Sequence, residues 1–400
     1  MKQTRTALHV YSHHLQDPAR RRFQSVVSLH SHSSCSREKL AFIPGIARQV
    51  PVVRRHFDRC VAKYKRTYGR ALDFSSLVWR PPLAPAQVID SECEQAHRRF
   101  DRPAIVSLSD HDTLEGPLAL RAAGRLDVPL SFEWSVLYKG SMFHLGLHGI
   151  SPASVEWLMP RLAAHTSTGE GTAAELLDAL SSCPDTVVVL NHPCWDMSGV
   201  GRLRHDANLL SFMRHHGNWI HALELNGYRT WTENRRVLPL AQGFGLPVVG
   251  GGDRHGYMAN AIVNLSAATT FEEFAYELRA ERASECVVLP EYEQPFASRV
   301  LETACGILRP DPRGGGLRWE DRVFATVNGV EHAVTDTWTV PLWVDMCVSM
   351  VRALGSPVPR RLFALTHPDG LSDLESDCCP DRGFGGSLVG AATQQPPVAA

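Results

Sequence analysis

The chain has 400 residues, of which 44% are apolar and 21% charged, and its formal net charge is −1. These values are ordinary for a soluble globular protein of one large domain or two. The near-zero charge gives no overall field that would draw the chain to nucleic acid or to a membrane. The 10 cysteines include no CxxC pair, which excludes a disulfide-dense secreted module and predicts reduced thiols in a cytoplasmic protein. No apolar stretch is long enough to span a bilayer or to act as a secretory signal.

Residues 1–23 are basic and unpatterned, and they predict a loose arm. From there to about residue 265, short apolar runs rich in β-branched residues alternate with helix-like stretches. Strands that alternate with helices predict parallel strands joined by helical crossovers. Seven such runs favour a closed α/β barrel over a short open sheet. The runs are Val26–His30, Ala104–His111, Leu130–Trp134, Met142–His148, Thr186–Asn191, Ala222–Asn226 and Leu246–Gly250.

Residue types that commonly bind metals stand at or just after the ends of these runs. In an α/β barrel the carboxyl ends of the strands face one mouth, where active sites are built. Two imidazoles in an HxH pattern lie on the same side of an extended strand, so a multi-metal site is the leading explanation of the pattern. A histidine taken alone would be explained as a hydrogen-bonded core residue. Glu224 is interpreted as a group that supports the ligands without binding metal, and His148 competes with His144 for the same ligand position. The candidate ligands are His30, His32, His111, Glu133, His144, His192, Asp253 and His255.

Five segments occur in a fixed order: LHSHSSCS, SLSDHDTLEG, Glu133 to His144, LNHP and GGDRH. Together they resemble the successive motifs of the PHP (polymerase and histidinol phosphatase) superfamily, over residues 25 to about 290. The resemblance implies a distorted seven-stranded β/α barrel whose two or three divalent ions, Zn, Mn or Fe, hydrolyse phosphoesters. It implies a first ion held by His30, His32, Glu133 and Asp253. It also implies that Glu133 bridges to a second ion held by His144 and His192, and that His111 and His255 belong to a third.

One departure from the family pattern concerns the third ion. The first motif of the family ends in Ser-Asp-Gly, whereas this chain has Ser36, Arg37 and Glu38. A guanidinium is not a metal ligand. The third position is therefore empty, or Glu38 replaces the Asp by a shift of one residue, or Arg37 binds substrate phosphate. We favour an empty third position together with Arg37 on the phosphate.

The chemistry expected of such a centre follows from charge. Two divalent cations acidify a water and clamp the phosphoryl oxygens. His255 or His111, where not a ligand, would protonate the leaving alkoxide, and Asp110 is a further candidate for catalysis. Arg37 and Arg254 are candidates for binding substrate phosphate, because the guanidinium fork matches phosphate geometry.

An insertion at residues 37–80 separates the first two motifs and carries 11 Lys and Arg against 3 acids. Its segment VVRRHFDRCVAKYKRTYG predicts a basic amphipathic helix. This helix is either a solvated surface element, or a cap that attracts an anionic substrate to the mouth, or a contact to an anionic membrane. We therefore predict a barrel domain over residues 24–290, a helical C-terminal extension over 291–372 and a disordered tail over 373–400.

Two function classes remain at this point. The first is a phosphatase or phosphodiesterase acting on a phosphorylated small molecule, a nucleotide or an oligonucleotide end. The second is a non-catalytic metal-binding or anionic-surface-docking module, which the loss of the acid at position 37 favours. The presence of all six ligands of the two-ion core favours the enzyme.

Overall fold

The computed structural model describes residues 9–12, 22–41, 44, 51–69, 71, 73–168, 173–310, 316–327, 330–336, 340, 342–364 and 371–377. These residues form a mixed α/β fold with one ten-stranded, mostly parallel sheet and one four-stranded antiparallel sheet. The strands are β1 His9–Ser12, β2 Ser25–Ser31, β3 Glu38–Lys39, β4 Leu77–Trp79, β5 Ala104–Leu108, β6 Phe132–Tyr138, β7 Ser141–His148, β8 Val187–Asn191, β9 Ala222–Asn226, β10 Val248–Arg254, β11 Ile262–Ser266, β12 Glu285–Val288, β13 Val323–Val327 and β14 Val330–Ala333.

Helices connect most of these strands and cover the large sheet. Among the described residues they are α1 Pro51–Tyr68, α2 Pro85–Phe100, α3 Glu115–Ala122, α4 Val155–Thr168, α5 Ala173–Ser181, α6 Arg202–His216, α7 Trp231–Phe244, α8 Phe271–Tyr276, α9 Phe296–Leu308, α10 Leu342–Leu354, α11 Pro357–Ala364 and α12 Leu374–Asp377. Helix α7 illustrates how local sequence sets the bounds: Thr230 and Glu233 form a reciprocal capping box at its start, and Gly245 ends it at φ +64°. None of the described helices combines the length and the apolarity needed to cross a membrane, and the cytoplasmic location stays a prediction.

All seven predicted runs form strands, namely β2 and β5 to β10. The order in the large sheet is β1-β12-β11-β2-β10-β9-β8-β7-β6, with β5 also paired to β2. The general expectation of parallel strands does not hold for β6 and β7, which form an antiparallel hairpin. Lys139 and Gly140 connect them at φ +52° and +85°, and a two-residue turn with both φ values positive matches the twist of a hairpin.

The strand ladders do not close into a complete barrel among the described residues, so the predicted closed barrel is not confirmed. The free edges of β5 and β6 meet at one parallel bridge between His111 and Glu133. Beside that bridge the Asp112 amide donates to the Glu133 carbonyl at 2.8 Å, and the Glu133 amide donates to the Asp110 carbonyl at 3.2 Å. The carboxyl end of β5 and the start of β6 are therefore held together where the candidate ligands lie.

The main core lies between strands β6 to β10 and the helices that follow them. Its largest fully buried side chains include Trp134, Phe212 and Trp231. Burying side chains of this size contributes roughly 1.5–3 kcal/mol each to folding. This core fixes the strands, and through them the residues at their carboxyl ends.

The smaller sheet joins two parts of the chain that we expected to be separate. Its order is β14-β13-β4-β3, so strands of the insertion pair with strands of the C-terminal extension. The basic helix predicted in the insertion is present as α1, and the helices predicted in the extension as α9 and α10. Domain boundaries and the membrane contact of α1 stay predictions.

The expected loose arm and disordered tail need partial correction. Strand β1, at His9–Ser12, pairs in parallel with β12, so these four residues belong to the sheet. At the other end, α12 begins at Leu374, and Trp231 donates its indole N–H to Asp377 at 2.8 Å. The rest of the arm, apart from Arg22 and Phe23, and residues 378–400 of the tail lie outside the described residues.

Candidate metal centre

Three predicted ligands occupy an uncommon backbone conformation at the ends of their strands. His30, His192 and Asp253 have φ values of +63°, +29° and +50°. Positive φ is unfavourable for residues with a Cβ, and such strain persists only where the surrounding structure enforces it, often at functional sites. The strain here turns the three side chains toward a common centre.

Glu133 lies at that centre, fully buried at the start of β6. Its Oε1 is 3.1 Å from His30 Nε2, 3.1 Å from His144 Nδ1 and 3.3 Å from His192 Nε2. Its Oε2 is 3.5 Å from His32 Nε2 and 3.2 Å from His111 Nδ1. One carboxylate thus faces five imidazoles.

Asp253 completes this central group from the end of β10. Its Oδ1 lies 3.5 Å from His32 Nε2 and 3.6 Å from His30 Nε2. Four overlapping sets of ligand atoms, each set within 4.8 Å, could hold a metal ion among the described residues. They are His30-His32-Glu133, His30-His192-Asp253, His111-Glu133-His144 and His32-Glu38-His111-His255.

Buried polar atoms without hydrogen-bond partners test whether this group fits metal ions. Buried polar atoms are almost always hydrogen-bonded. Here several inward-facing atoms have no hydrogen-bond partner, while the donor set combines imidazole nitrogen and carboxylate oxygen, which suits borderline divalent ions. The residues therefore fit one or more divalent cations. The inward-facing atoms without a hydrogen-bond partner are His30 Nε2, His32 Nε2, Glu133 Oε2, His144 Nδ1 and His192 Nε2.

Glu38, not Arg37, faces the cluster. Glu38 Oε2 lies 3.1 Å from His255 Nε2 and 3.3 Å from His111 Nε2, and its Oε1 accepts from Ser36 Oγ at 2.6 Å. The Arg37 guanidinium is 48% exposed and pairs with Glu115 at 3.3 Å and Glu331 at 3.5 Å. These contacts favour the alternative in which Glu38 takes the place of the Asp, since its carboxylate points inward and Arg37 points outward; whether the third position is empty stays a prediction.

The carboxylates and imidazoles of the cluster strongly perturb one another. Burial would raise the pKa of Glu38, but the neighbouring His111 and His255 hold it well below its ordinary value. Burial would lower the pKa of His111, but Glu38 and Glu133 raise it to about 10, and Glu38 likewise raises the pKa of His255 to about 9. Perturbed groups gathered in this way are typical of functional sites.

Asp110 and Arg254 were predicted to act on substrate, and the structure gives both another role. Asp110 is fully buried and accepts from Ser33 Oγ at 2.8 Å, and burial raises its pKa to about 6. Arg254 is buried and donates to Glu92 Oε1 at 2.7 Å. Asp110 ties the loop after β2 to the end of β5, and Arg254 neutralises a buried carboxylate.

Supporting side chains orient the ligands from behind. Glu224 Oε1 lies 2.6 Å from His30 Nδ1, and its Oε2 accepts from the His192 amide at 2.7 Å. Asn191 donates to Glu133 Oε1 at 2.9 Å. The interpretation of Glu224 as a supporting group agrees with these contacts. The supporting role of Asn191 was not predicted, because the LNHP motif alone does not show what Asn191 does beside His192.

His148, the possible competitor of His144, lies outside the four ligand sets. Its Nδ1 is 2.8 Å from Ser107 Oγ, and burial lowers its pKa to about 3. The antiparallel register of β7 and β8 instead places His144 opposite Asn191, next to the predicted ligand His192. His144 is therefore the histidine of β7 that belongs to the cluster.

A cavity of about 620 Å³ opens beside the cluster, where the chain leaves β8 and β9. Its lining includes Trp195 and Arg229. The ring centroids of His192 and Trp195 are 5.1 Å apart, and the Arg229 guanidinium lies 4.1 Å from the centroid of the Trp195 ring. Trp195 thus links the cavity to His192, although none of the predicted ligands lines the cavity itself.

Comparison with known proteins gives limited similarity. No protein-family model and no curated protein matches the chain. PsfC from Pseudomonas syringae is 14% identical, with a TM-score of 0.36 over 52% of this chain and 83% of its own. An amidohydrolase from Chromobacterium violaceum with bound sulfate is 18% identical, with a TM-score of 0.33 over 57% of this chain and 87% of its own. A candidate metal-dependent phosphoesterase from Bifidobacterium adolescentis is 18% identical, with a TM-score of 0.31 over 50% of this chain and 91% of its own. These similarities are too low to assign an activity.

Proposed function

We propose that this protein is a metal-dependent phosphoester hydrolase. The observation that supports it best is the buried group around Glu133, in which five imidazole nitrogens lie within 3.5 Å of one carboxylate. A buried set of ionised carboxylates is costly unless positive charge compensates it. Divalent cations would supply that charge, and the ordered motifs that resemble the PHP superfamily support phosphoesters as the substrates.

Within this proposal, strands β2 and β5 to β10 form a distorted seven-stranded barrel that closes at the His111–Glu133 bridge. One ion would be held by His30, His32, Glu133 and Asp253, and a second by Glu133, His144 and His192. A third would lie among Glu38, His111 and His255. When bound, such cations lower the pKa of water and neutralise phosphoryl oxygens, and Zn, Mn or Fe would suit these ligands.

The residues at the rim would handle the leaving group. Among the imidazoles of the four ligand sets, those of His111 and His255 have the most exposed side chains, at 16% and 22%. The nearby Glu38 carboxylate raises the pKa of both rings and so favours their protonated form where no ion is bound beside them. Where the third ion is not bound, His255 Nε2 would donate that proton to the leaving oxygen.

The adjoining cavity would receive the rest of the substrate. Its volume of about 620 Å³ falls within the range of small-molecule sites. Trp195 and Arg229 line the cavity, and Arg229 is fixed by two contacts to Glu233 at 3.0 and 3.1 Å. We therefore propose a phosphorylated small molecule or a nucleotide as substrate, with its leaving group against Trp195.

Metal content and turnover measured on the same preparations test the proposal. We expect the purified protein to bind divalent ions and to hydrolyse at least one member of a panel of mononucleotides, sugar phosphates and short oligonucleotides. His192→Ala should remove one ion and reduce turnover severely. His97→Ala, at an exposed position of α2, is the matched control and should change neither.

Three results would contradict the proposal in different ways. Absence of bound metal in the wild-type protein would exclude the metal centre. Metal binding without turnover on any phosphoester would favour the non-catalytic alternative. Unchanged turnover in His192→Ala with full metal content would show that the chemistry takes place elsewhere.

A further inference from the structure

The smaller sheet carries the C-terminal extension to the edge of the candidate metal centre. Strand β3 places Glu38 opposite Trp79 of β4, and β4 places the same Trp79 opposite Val323 of β13. Backbone bonds continue this ladder on both sides, since the Leu40 amide donates to the Leu77 carbonyl at 3.1 Å and the Arg80 amide to the Arg322 carbonyl at 3.0 Å. The position of Glu38 therefore depends on strands from the far end of the sequence.

Glu331 adds ionic contacts to this ladder. It lies on β14, opposite Thr326 of β13, and its carboxylate pairs with both Arg80 and Arg37. The Arg80 guanidinium also lies 4.6 Å from the centroid of the Phe324 ring. Glu331 is only 21% exposed, so its two ion pairs are less screened by solvent than those of a fully exposed carboxylate.

Arg37 and Glu38 are chain neighbours that contact opposite groups. Arg37 contacts the surface carboxylates of Glu331 and Glu115. Glu38 faces His255 and His111. Holding Arg37 outward restricts the backbone at the next residue, and it thereby favours the inward orientation of Glu38.

We propose that the β13–β14 hairpin positions Glu38 for a third divalent cation, and that Glu331 is the positioning residue acting through Arg37 and Arg80. This inference rests on the proposed function, because it concerns the same metal centre. It assigns the C-terminal extension a role in metal binding, although none of the described residues in 316–327 and 330–336 belongs to the four ligand sets.

The test is the binding of Mn²⁺ to the full chain, counted by equilibrium dialysis with elemental analysis. We expect wild type to bind three ions, and Glu38→Gln to lose the weakest one. Glu331→Gln should weaken binding of that same ion by about tenfold, the lower end of the range for supporting residues of metal sites, and leave the two tighter ions unchanged. Glu331→Asp keeps the charge and should restore part of the affinity.

The matched control is Glu285→Gln, which removes another partly buried glutamate paired with an arginine, Arg22, at the opposite ends of the strands. It should bind all three ions as wild type does. Thermal unfolding in excess EDTA separates positioning from simple loss of structure. We expect Glu331→Gln to unfold in EDTA as Glu285→Gln does, with the difference between them confined to the third ion.

The variants also separate failure of this inference from failure of the proposed function. No Mn²⁺ bound to wild type would overturn both. A third ion lost in Glu38→Gln but bound normally by Glu331→Gln would overturn the role of the hairpin alone. In a Glu38→Gln background, adding Glu331→Gln should have no further effect on any ion, and an additional loss there would mean that Glu331 does not act through Glu38.

Discussion

Replacing Glu224 by glutamine tests how the metal ligands are oriented. The Glu224 carboxylate accepts at both oxygens: Oε1 faces His30 Nδ1 at 2.6 Å, and Oε2 accepts from the His192 amide at 2.7 Å and the Asn226 side chain at 2.9 Å. This arrangement keeps the His30 proton on Nδ1, so that Nε2 presents its lone pair to the cluster.

Glutamine has nearly the same shape but carries one acceptor and one donor group. If its oxygen faces His30, its NH₂ group meets the donors of His192 and Asn226. If it flips, NH₂ faces His30 Nδ1 and favours the tautomer with the proton on Nε2, which cannot bind metal. The first orientation leaves buried donors without an acceptor, and the second removes the lone pair that binds metal; losses of this kind reduce metal affinity by roughly 10- to 100-fold, or about 1.4–2.7 kcal/mol.

The assay is competition of the protein with a metal-chelating indicator, run on Glu224→Gln and on Glu94→Gln. Glu94 is exposed on α2, so its substitution repeats the chemical change away from the site. We expect weaker binding of the ion held by His30 only in Glu224→Gln. Equal affinities for the two variants would refute the argument from tautomer control.

Four further substitutions test other parts of the structure. Gly251→Ala would place a Cβ 1.9 Å from Glu224 Oε1, so metal affinity should fall. Its control is Gly243→Ala on α7, where the added Cβ would meet no neighbouring side chain within 4 Å. This change should raise the free energy of unfolding in urea by up to about 1 kcal/mol. Arg254→Ala leaves Glu92 buried without its cation and should cost roughly 3–5 kcal/mol in urea unfolding; a smaller loss would mean that the pair is not structural. Burial lowers the pKa of His221 from 6.5 to about 4, so the folded state prefers the neutral ring, and stability should fall as pH drops through this window. Between pH 7 and pH 4 in EDTA, the free energy of unfolding of His221→Gln should fall by on the order of 2–3 kcal/mol less than that of wild type. Parallel curves of unfolding free energy against pH for the two proteins would contradict the assignment.

The strands were predictable because they are nearly continuous apolar runs. Val187–Asn191 and Ala222–Asn226 are buried at every position, as expected for strands covered on both faces. The β6–β7 hairpin was missed because Lys139-Gly140 is a weak turn signal between two runs that also fit the parallel pattern. The pairing of β1 with β12 depends on contacts between distant segments, which local pattern does not encode.

Most of the central ligands were predictable because they lie at or just after the carboxyl ends of strands, which meet at one edge of a sheet; Glu133 at the start of β6 and His144 within β7 are the exceptions. His30 and His32, two residues apart, both reach Glu133 within 3.5 Å. The choice between Arg37 and Glu38 was not predictable in this way. It depends on the ladder from β3 through β4 to β13, and on Glu331, whose position relative to the insertion is set only by the folded chain.

Backbone strain and buried charge at this centre point to the same conclusion. Positive φ at His30, His192 and Asp253 costs on the order of 1–3 kcal/mol each. The carboxylates of Glu133, Asp253 and Glu38 are buried or nearly so, and surrounding imidazoles keep their pKa values below the ordinary range. The strained backbone favours the unfolded chain, so a fold optimised for stability alone would avoid it. Ligands that bind only the folded state offset such costs, and a divalent cation requires the deprotonated carboxylates and inward-facing imidazoles that the strained backbone presents. The same geometry that destabilises the chain without metal is thus the one that would let it bind metal tightly.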